Sequence, residues 1–583
     1  MIMRDLEALI GSDRAEDLTP EEVLSLFVGA AGDEVLVTNL MKSGVHLLQG
    51  SRGTGKTMLM RVAYERLRRP PQIGHLPVWV SFSRYLATYN PAARRNAAYS
   101  PFQSWVFAKL LKAMRDAAQL QRPDLRELPT LFGPIPADAY LERLETHYRD
   151  PGVSDPRRTA EALGISEQAL FEFAGLDQLQ SKVLSFLEQN GFTSVAFFLD
   201  EAAQSFAEDL QPEFFQLIRH LRHYRISVNA AVYPNITNYG RDFDVGQDAI
   251  TLPIERQIET ADGMALLQEL VKKRFTGTAL GTSLERSPVQ TDFLIKMSGG
   301  NPRWFLHLLN RLSCNGGDIV TSSQSLAVAK EFPDSTLWPY LRKIGSNLAS
   351  KRKYVETAFQ LSQLFLESLR EANKSVRRET PERPMCYVAV STHKTVPFRI
   401  HAALRLLQYA GIVAARGPKK ITARESAEMY LLHPAILVRE NALYAGETNP
   451  PVDAIVKALT DPQRERFREF TRNSPRFQDF RQAEEADALT CSHCNALVAE
   501  GSRFCPSCGQ PFTTTSPYEE LLQQPASELE LTPRIKQRLL DDGRFKTVGD
   551  IEGATDDDLD AIPWIGKARI PLIRYAVEEF LAG

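Results

Sequence analysis

The stretch Gly44–Arg61, GVHLLQGSRGTGKTMLMR, carries the pattern that decides the fold. An apolar run ends at Gly50, a loop of alternating glycines follows, and a helix-forming segment begins at Lys56. Gly50, Ser51, Arg52, Gly53, Thr54, Gly55, Lys56 and Thr57 fit the pattern G-x-x-x-x-G-K-[ST]. Glycines let such a loop curl until its backbone N–H groups face a phosphate, and the helix N-terminus adds its dipole. Lys56 then reaches the β/γ-phosphates and the Thr57 hydroxyl ligates Mg²⁺, so ATP and Mg²⁺ are the expected cofactors. Downstream, VAFFLDEA (195–202) is a buried strand ending in two acids. Asp200 is suited to hold the Mg²⁺ shell and Glu201 to polarise an attacking water; such a pair also serves simply to end a strand and cap a helix.

At 583 residues the chain exceeds a single core and implies several domains. Its content, 43% hydrophobic and 24% charged, excludes a mainly disordered chain. Six cysteines, four of them in two CxxC pairs, point to metal in a reducing compartment rather than to disulfides. No apolar run is long enough for a bilayer, and the opening MIMRDLEALIGSDRAEDL is too acidic for a signal peptide, so a cytoplasmic protein without a membrane partner is expected.

Strands LPVWVSFS and ISVNAAVYP, alternating with helical stretches such as PEFFQLIRHLRHYR, predict a parallel sheet covered by helices. The expected fold is multidomain α/β. Residues 1–255 form the nucleotide-binding core, with 84–190 as an insertion, and 256–330 a helical lid. A winged helix over 331–445 and a helical linker over 446–487 follow. The segments GVHLLQGSRGTGKTMLMR, FFLDEA, AAVYPNITNYG and SGGNPRWFLHLLNR together resemble the AAA+ ATPases of the origin-recognition initiator (ORC/CDC6-like) type and their prokaryotic relatives. The resemblance covers roughly 25–330 and extends with the winged helix to about 445. It implies that Arg303, in GNPR, senses the γ-phosphate and that Asn235 positions water. It also implies an arginine given to a neighbouring subunit, for which Arg241 and Arg225 compete, and hence an ATP-dependent homo-oligomer.

Residues 351–440 carry sixteen Lys and Arg against eight Glu in a chain of net charge -3. A basic module with a winged-helix pattern is the footprint of a duplex-DNA binder. FRIHAALRLLQYAG reads as its recognition-type helix, with Arg399 and Arg405 exposed, and Arg416, Lys419 and Lys420 fall at the wing. Protein contacts are the alternative use of such a module.

Cys491, Cys494, Cys505 and Cys508 are spaced C-x2-C-x10-C-x2-C, which suits a closed tetrahedral Zn²⁺ site over 488–513. It is similar to the zinc ribbons appended to many nucleic-acid machines. The tail 526–583, with TVGDI, DDDL and IPWIGK, resembles the C-terminal domain of the bacterial RNA polymerase α subunit, a helix-hairpin-helix fold. That resemblance implies DNA contact through Arg534 and Lys567. Trp564 departs from the pattern, and the tail holds twelve acids against eight bases. Together these features predict an ATP-hydrolysing switch that binds DNA through its C-terminal modules. The alternative is an oligomerising signalling or antiviral-defence ATPase that senses a protein or invader trigger, with 84–190 or the tail as partner surface.

Overall fold

The computed structural model describes residues 18–69, 74–82, 101–122, 176–201, 210–314, 320–347, 352–486 and 524–582 apart from short stretches within them, with pieces near 160 and in 489–509. Five strands, β1 (Val45–Gln49), β2 (His75–Ser81), β3 (Ser194–Asp200), β4 (Ile226–Val232) and β5 (Ile250–Pro253), form one sheet in the order β2-β3-β4-β1-β5. All four pairings are parallel. The central β4 is buried at every position. This is why the strands read as continuous apolar runs: a parallel sheet has helices on both faces. Neighbouring residues alternate between the two cores as the pleat requires. Leu47, Phe197 and Ala230 face the helices Pro101–Gln121, Leu176–Gln189 and Gln211–His220, whereas Leu48, Phe198 and Ala231 face Ala31–Leu40 and Lys56–Leu67.

The expected insertion 84–190 is corrected in part. Helices Pro101–Gln121 and Leu176–Gln189 bury Phe107, Leu110, Val183 and Phe186 in the sheet's own core, and so supply the crossover that parallel β2 and β3 need. Most of the chain between them lies outside the described residues.

Beyond β5 the chain turns helical, from Ala261–Phe275 to Ser322–Phe332, with Thr260, Thr278 and Thr321 as N-caps. The lid has no core of its own. Its apolar residues join those of 331–480 in one continuous cluster. In that second body, β6 (Tyr387–Ser391), β7 (Val413–Thr422), β8 (Glu425–Leu432) and β9 (Phe467–Phe470) run in the order β7-β8-β6-β9. Helix Phe398–Tyr409 leads into the antiparallel β7–β8 hairpin. The turn after it passes so close to the lid that a Cβ on Gly411 (φ 69°) would meet the Trp304 ring at 2.3 Å. The expected linker 446–487 is not wholly helical: β9 pairs in parallel with β6 and belongs to this sheet.

The tail has a separate core around Leu529, Ile535, Leu539, Val548, Ile551, Ile565 and Ile573, with its last helix at Gly566–Ala582. Among the described residues no helix is long and apolar enough to cross a membrane.

Candidate nucleotide site

The C-terminal ends of β1, β3, β4 and β5 converge on one cavity, lined by Gly53, Gly55, Lys56, Thr57, Asp200, Glu201, Tyr233, Arg256 and Arg303 among others. This is the edge at which parallel α/β sheets bind ligands. Its far wall is apolar, with Leu18, Phe27, Val28, Leu266 and Leu306 drawn from the N-terminal segment and the lid.

The loop after β1 is tightly organised. Lys56 Nζ donates to the carbonyls of Gly50 at 2.7 Å and Ser51 at 2.9 Å, and lies 4.0 Å from the centre of the Tyr233 ring. Burial pushes the Lys56 ammonium down to about 7; Asp200 opposes the shift, and Arg303 and Arg52 add to it. Thr54 Oγ1 donates to the Ser51 carbonyl at 2.8 Å. Gly53 and Gly55 have φ of 83° and 96°, and successive amides in such a turn form an anion-binding concavity. A Cβ at Gly53 would stand 2.7 Å from Asn301 Oδ1 and 3.1 Å from Arg303 Cβ, so loop and lid touch here. Amides, an ammonium, a hydroxyl and a carboxylate form a donor set that fits a Mg²⁺-nucleotide.

Across the cavity Asp200 is 3% exposed and accepts the Glu201 backbone N–H at 3.0 Å. Glu201 sits at φ 60°, a left-handed position that disfavours a β-carbon by about 1–2 kcal/mol. Strain of this kind gathers at functional sites. Arg303 lines the cavity from the start of helix Pro302–Cys314. Asn235 lies outside the described residues; Tyr233, two positions earlier, faces Lys56 instead. Arg225 is committed internally, to the carbonyls of Thr193 and Phe192 and to Glu188. Arg241 is exposed on the turn after Gly240.

Sequence reasoning missed five residues here. Tyr233 packs edge-on against Tyr409 at 5.3 Å, and Tyr409 lies 6.1 Å from Tyr340, over which the Arg52 guanidinium sits. The β7–β8 body thus reaches the phosphate loop through tyrosines. Arg256 donates to the Thr54 carbonyl and to both Asp33 oxygens, and Asn301 donates to the Arg52 carbonyl. Arg256 belongs to no motif, and Asn301, although it stands inside GNPR, shows nothing there of its grip on a backbone carbonyl.

Two arginines expected on the DNA face are turned inward. Arg399 is 9% exposed, because helix Phe398–Tyr409 buries that side. Arg416 makes a two-pronged ion pair with Glu259, at 2.5 and 3.1 Å, both side chains under a tenth exposed. Tyr387 adds a hydrogen bond to the same carboxylate. The hairpin is bolted to the lid there rather than free. Arg405 is part-exposed over Phe398, Lys419 pairs with Glu465, and Lys420 is exposed.

In the tail, Arg534 and Arg569 both lie over the Trp564 indole, at 4.3 and 3.8 Å, and Trp564 has φ 81°. Arg534 is exposed but stacked, not extended. Lys567 opens the last helix, and its side chain is outside the described residues. Of the four cysteines, Cys491 and Cys505 are outside them too; Cys494 and Cys508 are exposed. Among the described residues no three His, Cys, Asp or Glu side chains gather as a metal site.

The ORC-CDC6-like family model matches residues 9–103, which contain the phosphate loop. No curated protein matches the chain. Distantly similar solved structures include the following. Cdc6p from Pyrobaculum aerophilum is 16% identical, over 79% of this chain and 98% of that one, at TM-score 0.30. The Aeropyrum pernix ORC1 protein in complex with DNA is 15% identical, over 74% and 94%, at 0.28. The Aeropyrum pernix ORC2 protein, in ADPNP-ADP complexes, is 13% identical, over 78% and 98%, at 0.32.

Proposed function

We propose that the chain is an ATP-binding and ATP-hydrolysing switch of the AAA+, ORC-CDC6-like type. One observation carries the reading: Lys56, Thr57, Asp200, Glu201 and Arg303, far apart in sequence, line one cavity at the C-terminal edge of a parallel sheet. Mg²⁺, held through Thr57 and Asp200, would supply charge neutralisation of the phosphates. The loop amides and Lys56 bind and orient the phosphates, and Arg303 brings the lid's charge onto them. Glu201 orients the attacking water, and the apolar wall excludes bulk solvent from it. Glu201→Gln should retain ATP binding and lose turnover by about a hundredfold or more. Unchanged turnover would remove Glu201 from the chemistry, and unchanged ATP binding and turnover in Lys56→Ala would take the nucleotide out of this loop.

Duplex DNA is the proposed ligand of the C-terminal half, through Arg405, Lys419, Lys420, Arg534 and Lys567, with Zn²⁺ on the four cysteines joining the winged-helix body to the tail. Arg241 is the candidate contribution to a neighbouring subunit. The inward turn of Arg399 and Arg416 shrinks the expected DNA face and favours the second reading, a signalling ATPase that assembles on a trigger. Gel shift with and without ATP, followed by the mass of the assembly, separates the two.

A further inference from the structure

The phosphate loop does not hold its own shape unaided. Two of its carbonyls are taken by side chains from outside it: Asn301 Nδ2 donates to the Arg52 carbonyl at 2.8 Å, and Arg256 Nη1 to the Thr54 carbonyl at 2.5 Å. In a trans peptide the C=O and the following N–H point in opposite directions. Holding the Arg52 and Thr54 carbonyls therefore turns the N–H groups of Gly53 and Gly55 away from those clamps. Both glycines line the cavity.

We infer that Asn301 and Arg256 are positioning residues of the nucleotide site, which set the loop amides for the terminal phosphates and make their setting depend on the seated lid. This rests on the nucleotide reading above. Arg256 is itself fixed by Asp33 at 3.1 and 3.2 Å, with both side chains close to a tenth exposed. Asn301 has a second task. Its Oδ1 accepts the backbone N–H groups of Arg303 at 3.1 Å and Trp304 at 3.3 Å, and so caps the helix that carries Arg303. One amide thus touches the loop with its nitrogen and the lid helix with its oxygen. Gly53 permits the approach, since any Cβ would collide with Asn301. If the lid helix withdraws, the Arg52 carbonyl loses its donor, and the amide behind it is free to turn.

Serine caps helices about as well as asparagine but lacks the nitrogen that reaches Arg52. Asn301→Ser in the full chain therefore separates the two tasks. ADP and AMP are the probes, because AMP lacks the phosphate that the middle of the loop would hold. The expected result is ADP affinity about three- to tenfold weaker, the worth of one hydrogen bond, with AMP affinity unchanged. Equal ADP affinity in variant and wild type overturns the inference, as does an equal loss for ADP and AMP, which marks general damage. Should Asn301→Ser fail to fold, the double variant Arg256→Gln with Asp33→Asn tests the other clamp by the same ADP-to-AMP comparison. Wild-type protein that binds no ADP strikes the nucleotide reading first and this inference with it.

Discussion

Lys56 sets up a pH dependence with a definite sign. Lys56 is 7% exposed, and burial pushes its ammonium down to about 7 from an ordinary 10.5. Between those values the folded, ligand-free chain holds Lys56 neutral while the unfolded chain holds it charged. The unfolded state then binds more protons, so raising the pH through this window stabilises the empty fold; below pH 7 that gain is absent. Nucleotide binding runs the other way. A phosphate beside Lys56 favours the ammonium, so binding above pH 7 must take up a proton. Affinity for Mg²⁺-ADP should fall about tenfold per pH unit from pH 7.5 to 9, or about 1.4 kcal/mol per decade. A phosphate with its second ionisation near pH 6 is already fully charged across that range, so the slope reports the protein. Titration calorimetry at pH 8 in buffers of different ionisation enthalpy should register close to one proton taken up per ADP bound. A flat affinity from pH 7 to 9 with no proton uptake would show that Lys56 stays charged in the empty loop, and the account of its burial would be wrong.

Other expectations concern the joints and surfaces. Arg416→Met strands the Glu259 carboxylate in the interior and should cost about 3–5 kcal/mol in urea unfolding, whereas Arg416→Met with Glu259→Leu should recover most of it. If the hairpin tip touches duplex phosphate, Lys420→Ala should weaken binding evenly across sequences and lower the salt slope by about one; an unchanged slope takes Lys420 off the interface. Cys505→Ser should release zinc, as read by metal analysis, and make the tail protease-sensitive while ATP turnover persists. Loss of basal turnover would contradict a purely architectural metal.

The sequence made the residues that line the candidate site legible because glycine spacing and a paired acid after an apolar strand each have one dominant physical use. The sheet was legible for a similar reason: strands covered on both faces must be apolar throughout. Tyr233, Tyr409 and Tyr340 were not legible, since their meeting depends on how two bodies dock. Asn301 was equally hidden, because a side chain that grips a backbone carbonyl leaves no trace in the residue it grips. Charge counting over 351–440 misled for another reason. It cannot tell which side of a helix or hairpin an arginine occupies, and Arg399 and Arg416 are turned inward. Strand β9, within RERFREF, looked helical because an edge strand carries charges on its open side.

The notch at Gly411 has a mechanical consequence. With Trp304 seated against it, and the lid sharing one close-packed core with everything to Phe480, the body beyond β5 has no bearing at which to bend internally. Helix Pro302–Cys314 cannot tilt over the phosphate loop without carrying helix Phe398–Tyr409 and its hairpin along. Any displacement of Arg303 from the loop would therefore take Lys420 with it.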